Sequence, residues 1–220
     1  MDDKKALEKV YKNPPAVWTS TTPPEELVEL IETKKIKPCK VLDVVCGEGF
    51  YAIYLTKQGF EVTGIDISEN AINLAKQNAE KAGVKIKFIA TNVEDLNKIN
   101  EKFNFILEWA ILHHISHERR KKYVKEINKL LNKNGKYLSI SFNVKDRKSG
   151  KGKKSKEVIG KQKRPEGVTR PVGATLYFSS LDELKELFDP HFKIIESKVC
   201  EKPGVGGNNI WNYIFMEKES

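Results

Sequence analysis

No stretch of this chain approaches the roughly 18 consecutive apolar residues that cross a bilayer, so no membrane-spanning helix is expected. The opening residues, Met1, Asp2, Asp3, Lys4 and Lys5, lack the apolar centre of a secretory signal. Cysteine is scarce too. Cys39, Cys46 and Cys200 are odd in number, scattered and without metal-ligand spacing, which argues against a disulfide framework and a structural metal. A reducing cytoplasm is the expected compartment. An evenly basic surface is also missing: of the net charge of +9, a local +8 falls between Lys145 and Arg164, where ten Lys or Arg face Asp146 and Glu157. That stretch has no aromatic residue for base stacking, and with Gly150, Gly152 and Gly160 it cannot bury a core. Residues 145–173 are expected to form a mobile basic insert acting as a cover.

What is present suits one α/β domain spanning 1–220, with no internal repeat and with residues 1–37 as an N-terminal lead-in and cap. Strands are predicted at Lys40–Val45, Phe60–Asp66, Lys85–Ala90, Phe103–Trp109 and Tyr137–Phe142. Helices are predicted at 25–33, 51–58, 69–82 and 118–131, the first capped by Thr22 and the third by Ser68. After the insert come a strand at Thr175–Phe178, a helix capped by Ser180 and two last strands. This alternation implies a doubly wound, mostly parallel, seven-stranded sheet with a C-terminal antiparallel hairpin.

Function concentrates in two segments. Val41 to Gly49 reads Val-Leu-Asp-Val-Val-Cys-Gly-Glu-Gly, and Val62 to Ser68 reads Val-Thr-Gly-Ile-Asp-Ile-Ser. Each is a buried strand entering a polar loop at the sheet edge where open α/β sheets bind ligands. Gly47 and Gly49 admit close backbone approach, and Asp43 and Asp66 meet the ligand with negative charge. Gly47 to Ala52 also fits a loose dinucleotide pattern with Asp66 as the ribose acid. A pyrophosphate, however, would face Asp43 and Glu48 as like charges, and the third glycine is absent. The carboxylates favour a cationic ligand such as S-adenosylmethionine over NAD.

On these residues the chain resembles the class I S-adenosylmethionine-dependent methyltransferases, whose sheet is Rossmann-like. The resemblance runs from about Trp18 to Met216. It implies a first motif from Asp43 to Gly49, Asp66 on the ribose hydroxyls, Ile67 against the adenine, and Asn92 with the Val93 N–H on the adenine edge. It also implies a substrate-facing segment from Leu107 to Ile115. Within the superfamily, the pieces around Trp18, 71–75, 135–139 and 176–179 look most like the thiopurine, thiol and halide branch. One position departs: Val45 stands where the family carries its first motif glycine. Either the turn keeps φ negative there or donor affinity suffers.

The expected activity is methyl transfer to a small-molecule acceptor, with a thiol as one candidate. Alternatives are a methyltransferase acting on RNA or protein through the basic insert, and a binding-only relative because of Val45. Glu108, His113 and His114 are the local candidates for a base, and Glu108 is also a candidate for the donor's ammonium. Adjacent histidines point different ways, so His113 and His114 are no preformed metal pair; one packs inside and the other faces the acceptor. Trp18 either closes over the ligands, its face suiting a sulfonium, or staples the N-terminal segment. Trp109 is expected to shape the acceptor pocket.

Overall fold

The computed structural model describes residues 3–16, 18–146, 157–159, 175–204 and 207–219. In chain order the elements are α1 (Asp3–Tyr11), α2 (Glu25–Glu32), β1 (Lys40–Val44), α3 (Phe50–Lys57), β2 (Glu61–Asp66), α4 (Glu69–Lys81), β3 (Lys87–Ala90) and β4 (Phe103–Trp109). There follow α5 (His117–Leu130), β5 (Leu131–Phe142), β6 (Glu157–Ile159), β7 (Thr175–Tyr177), α6 (Leu181–Phe188), β8 (Phe192–Gly204) and β9 (Gly207–Lys218). Two 3-10 turns, Val93–Lys98 and Leu112–His114, follow β3 and β4. Among the described residues no helix is long and apolar enough to cross a membrane.

Seven strands form one sheet in the order β3-β2-β1-β4-β5-β9-β8. The first five run parallel, and β9 pairs antiparallel with both β5 and β8. The chain runs outward from β1 through β2 to β3, then crosses back to place β4 on the other side of β1. The switch point therefore lies between β1 and β4, where open α/β sheets leave a crevice. Register aligns the ends there: Val44 faces Ile65 on one side and Glu108 on the other.

Alternation along the buried strands builds two cores. Val41, Phe105, Leu107, Leu138 and Phe215 pack with α2, α3 and α4 on one face of the sheet. Leu42, Val44, Ile106, Tyr137 and Ile214 pack with α5 and α6 on the other. Each fully buried Leu or Ile contributes about 1.5–3 kcal/mol. Helix α4 shows how local chemistry sets an element: the Ser68 hydroxyl accepts from Ala71 N at 3.1 Å, and Ile72, Ala75 and Ala79 form its buried face. Ser180 closes a full capping box with Glu183 at the start of α6.

Most boundaries fall within two residues of expectation, and the start of α2 and the start of β5 differ in kind. Thr22 does not cap α2; Pro24 occupies that position without a side-chain cap, and its carbonyl accepts from Leu27 N and Val28 N. Two consecutive prolines hold the approach extended, so the helix starts only after both. Strand β5 begins at Leu131 instead of the expected Tyr137; its pairing with β4 jumps from Leu131 to Lys136, and Asn134 at φ +60 turns the chain with Gly135 inside that gap. Of the basic insert, the strand β6 pairs antiparallel with β7. The expectation of a mobile cover otherwise falls on residues 147–156 and 160–174, outside the described residues.

Candidate active site

The turn leaving β1 carries three positive φ angles: Val45 at +64, Gly47 at +53 and Gly49 at +80. Of the two outcomes open for Val45, the structure adopts the strained one. A β-branched residue in this region costs on the order of 1–3 kcal/mol. The surrounding bonds hold it there. Cys46 N donates to Ile65 O at 2.8 Å, Gly49 N to Cys46 O at 2.9 Å, and Gly47 N to the Asp66 carboxylate at 3.0 Å. Gly49 is required by packing as well, because a Cβ there would stand 2.9 Å from the Ala75 Cβ.

Asp43 and Asp66 are both buried beside this turn. Asp66 accepts from Gly47 N through one oxygen and from Ser68 N through the other, at 3.0 and 2.9 Å. Burial raises its carboxyl to about 6 against these bonds. Asp43 is held to about 7, by burial first and then by Asp66. Its Oδ2 has no hydrogen-bond partner among the described residues. An orphaned carboxylate oxygen in a dry site, next to a second acid, suits a cationic ligand and repels a pyrophosphate.

The remaining donor-side candidates are placed unevenly. Asn92 lies beyond β3, its side-chain oxygen accepting from Glu94 N at 3.0 Å, and Val93 begins the 3-10 turn. Thr91 N donates to Asp66 O at 2.8 Å, joining this loop to the one carrying half-buried Ile67. Glu48 is turned toward the N-terminal segment, accepting from Ala16 N at 3.0 Å and from the Thr19 hydroxyl at 2.5 Å. Trp18 is 45% exposed and donates its indole N–H to the Tyr11 hydroxyl at 3.0 Å.

At the end of β4, Glu108 is fully buried. One oxygen accepts from Ile111 N and Leu112 N, the other from the Tyr137 and Ser139 hydroxyls, at 2.6–3.1 Å. Four donors use the whole acceptor capacity of a carboxylate. Burial still raises the group to about 7. Ala110, at φ +67, turns the chain behind it. His113 is buried and its Nδ1 accepts from Phe142 N at 3.3 Å, which in the neutral ring leaves the proton on Nε2. His114 is exposed.

A run of rings faces this edge. Tyr51 meets Trp109 with centroids 5.9 Å apart, Trp109 meets Trp211 at 6.2 Å, Trp211 meets Phe142 at 4.1 Å, and Phe142 meets His113 at 4.3 Å. The four carbocyclic and indole members are each half-buried, so the wall keeps free aromatic surface. It adjoins the donor side: Asp43 helps raise the Tyr51 hydroxyl to about 12, after the larger effect of burial.

Comparison with known proteins agrees with this geometry. Residues 41–135 match the family described as "Methyltransferase domain". Those residues hold the motif turn, Asp66 and β4. A methyltransferase domain is what this segment is similar to. The probable S-adenosyl-L-methionine-dependent methyltransferase TehB of Haemophilus influenzae is 33% identical over 110 residues, 49% of this chain and 37% of that protein. The 2-heptyl-1-hydroxyquinolin-4(1H)-one methyltransferase of Mycobacteroides abscessus is 29% identical over 138 residues, 62% of this chain and 60% of that one. The chain thus spans less than two thirds of the length of these relatives. N-methyltransferase NodS of Bradyrhizobium japonicum, solved with S-adenosyl-L-homocysteine, shares the fold at TM-score 0.71 and 15% identity, with all of both chains covered.

The fold brings Asp43, Gly47, Gly49 and Asp66 together at the switch point, with Glu108 one strand away. It keeps Asn92 and Val93 at the neighbouring loop and leaves Trp18 and His114 at the surface. Sequence reasoning missed Tyr11, Tyr51, Phe142 and Trp211. Trp211 and Phe142 lie opposite each other in the β5–β9 register. Their only signal was an aromatic residue at the ligand end of a predicted strand.

Proposed function

We propose that this protein binds S-adenosylmethionine and transfers its methyl group to a small-molecule acceptor without a protein base. The observation that carries the donor reading is the orphaned, buried Asp43 oxygen beside Asp66 and the positive-φ turn. Bound there, S-adenosylmethionine supplies an electrophilic methyl group on a sulfonium. Asp66 would hold the ribose hydroxyls with its remaining lone pairs, and Asp43 would face the positive end of the donor. Ile67, Asn92 and Val93 would border the adenine.

The acceptor side supports a nucleophile that arrives already reactive. Glu108 has its lone pairs committed to four protein donors, and His113 spends its Nδ1 lone pair on the Phe142 N–H. Their roles here are positional: Glu108 clamps the start of the turn after β4, and His113 orients its donor. A thiolate near neutral pH or an unprotonated ring nitrogen needs no base. The aromatic wall of Tyr51, Trp109, Phe142 and Trp211 favours a small apolar or planar acceptor. The quinolinone methyltransferase among the relatives, named for a small aromatic compound, supports that class. The proteins's alignment of nucleophile, methyl and sulfur supplies much of the rate.

Calorimetry with S-adenosylhomocysteine tests the donor reading. Asp66→Ala should weaken binding about tenfold to a hundredfold, corresponding to ~1.5–3 kcal/mol for charge-assisted bonds. Unchanged affinity would remove the claim. Turnover across thiols, ring nitrogens and phenols should follow the ionised or lone-pair fraction of the acceptor. A second reading, a binding-only relative, is favoured by Val45 at φ +64. It predicts S-adenosylhomocysteine binding with no turnover of any acceptor class.

A further inference from the structure

The segment before α2 is fastened to the donor side of the site at three places. The Glu8 carboxylate lies at the start of α4, just past Asp66, and accepts from the Ser68 hydroxyl, Glu69 N and Asn70 N at 3.1, 2.6 and 3.1 Å. Tyr11 is buried against Ala16 and Ala71. Its hydroxyl stands 3.2 Å from where a Cβ on Gly47 would be, directly above the motif turn. Glu48, inside that turn, holds Ala16 N and the Thr19 hydroxyl.

The bonding at Tyr11 is incomplete. Its oxygen accepts from the Trp18 indole at 3.0 Å, but its own hydrogen has no acceptor among the described residues. Burial, followed by the charge of Asp66, pushes the hydroxyl far above the ordinary phenol range, so it stays a donor. A buried O–H without an acceptor, its oxygen beside the turn, is a group waiting for one.

We infer that Tyr11 is a donor-binding residue, its hydroxyl donating a hydrogen bond to the ligand held by the Gly47 turn and Asp66. The segment that carries it is a strap latched by Glu48, which must lift to admit and release that ligand. This rests on the donor reading above. Tyr11 touches the ligand and therefore sets affinity. The Glu48 latch is made to Ala16 and Thr19 with or without ligand, so it sets the exchange rate and leaves affinity nearly alone. The Lys4–Glu69 ion pair on the same segment is exposed on both sides and adds little.

The test uses the full chain and S-adenosylhomocysteine, with affinity from calorimetry and exchange from stopped-flow tryptophan fluorescence. Tyr11→Phe should weaken binding about fivefold to tenfold, the loss of one hydrogen bond. Glu48→Gln keeps the shape but removes the charge from two bonds. It should speed both association and release about fivefold and move Kd less than about twofold. Wild-type binding with both variants matching it in Kd and rates would overturn the strap while leaving the donor reading intact. A drop in melting temperature alone, with unchanged exchange, would do the same and reduce the segment to a structural staple. Failure of the wild type to bind S-adenosylhomocysteine would defeat the donor reading, and this inference with it.

Discussion

Asp43 and Glu108 lie on adjacent parallel strands, one step apart in register, and so point to opposite faces of the sheet. Both are buried, and burial lifts both carboxyls to about 7. They differ in what surrounds them. Glu108 accepts from two backbone amides and two hydroxyls, whereas Asp43 keeps one oxygen with no partner among the described residues. The same residue chemistry at the same sheet edge therefore serves two purposes. A satisfied carboxylate locks a turn, and on the proposed donor reading the unsatisfied one meets a ligand.

The largest expected effect tests that contrast by mutation. Glu108→Ala strands one buried and one half-buried N–H group and two buried hydroxyls, and should cost about 3–5 kcal/mol in urea unfolding. Asp43→Asn should stay within about 1 kcal/mol of wild-type stability, since it removes a buried charge that nothing balances. Its donor affinity should nevertheless fall about tenfold. Equal destabilisation by the two changes would erase the distinction.

Titration sharpens it. Asp43 at about 7 and Asp66 at about 6 both lie above the ordinary carboxylate value of 3.8. The folded state therefore keeps protons that the unfolded state has released. Their contribution to stability is full below about pH 4 and is lost as pH rises through 6 and 7. The melting temperature of the ligand-free protein should decline across that window, and Asp43→Asn should flatten the decline. Binding S-adenosylhomocysteine, whose ammonium favours the ionised carboxylate, should release protons. Calorimetry in buffers of different ionisation enthalpy measures that release, and proton uptake would contradict the assignment.

The smallest expected effect concerns the turn itself. Val45→Gly relieves a left-handed β-branched residue but loosens the unfolded chain by about 0.4–1 kcal/mol. The net should be a gain of no more than about 1 kcal/mol in thermal unfolding, with donor binding tightened by a few-fold at most. A loss of stability would mean that the neighbouring bonds from Cys46 and Gly49 already absorb the valine.

The motif turn and its acids were legible because their parts are local. A strand, a glycine turn and an acid at the end of the next strand fall within 41–68, and parallel pairing of β1 with β2 brings them together by necessity. The aromatic wall was only partly legible. Trp109 ends β4, but Tyr51, Phe142 and Trp211 come from α3, β5 and β9, and no spacing rule links them. Glu108 was visible as a buried acid, yet its hydroxyl partners, Tyr137 and Ser139, are set by the β4–β5 register. Glu48 read as a ligand-facing acid of the motif turn; that it instead holds Ala16 and Thr19 is seen only once the N-terminal segment docks.

By itself the sequence determined the alternation of strands and helices, the order of the elements, the caps at Ser68 and Ser180, and the acids at the carboxyl ends of β1 and β2. Each of these follows from residues close together in the chain, where periodicity and hydrogen-bonding preference act directly. Only the tertiary structure decided that Val45 takes the strained conformation, that Glu108 is satisfied while Asp43 is not, and that Tyr11 covers the motif turn. The reason is physical. Whether a buried polar group has a partner depends on every element packed around it, and that environment exists only once distant segments have met.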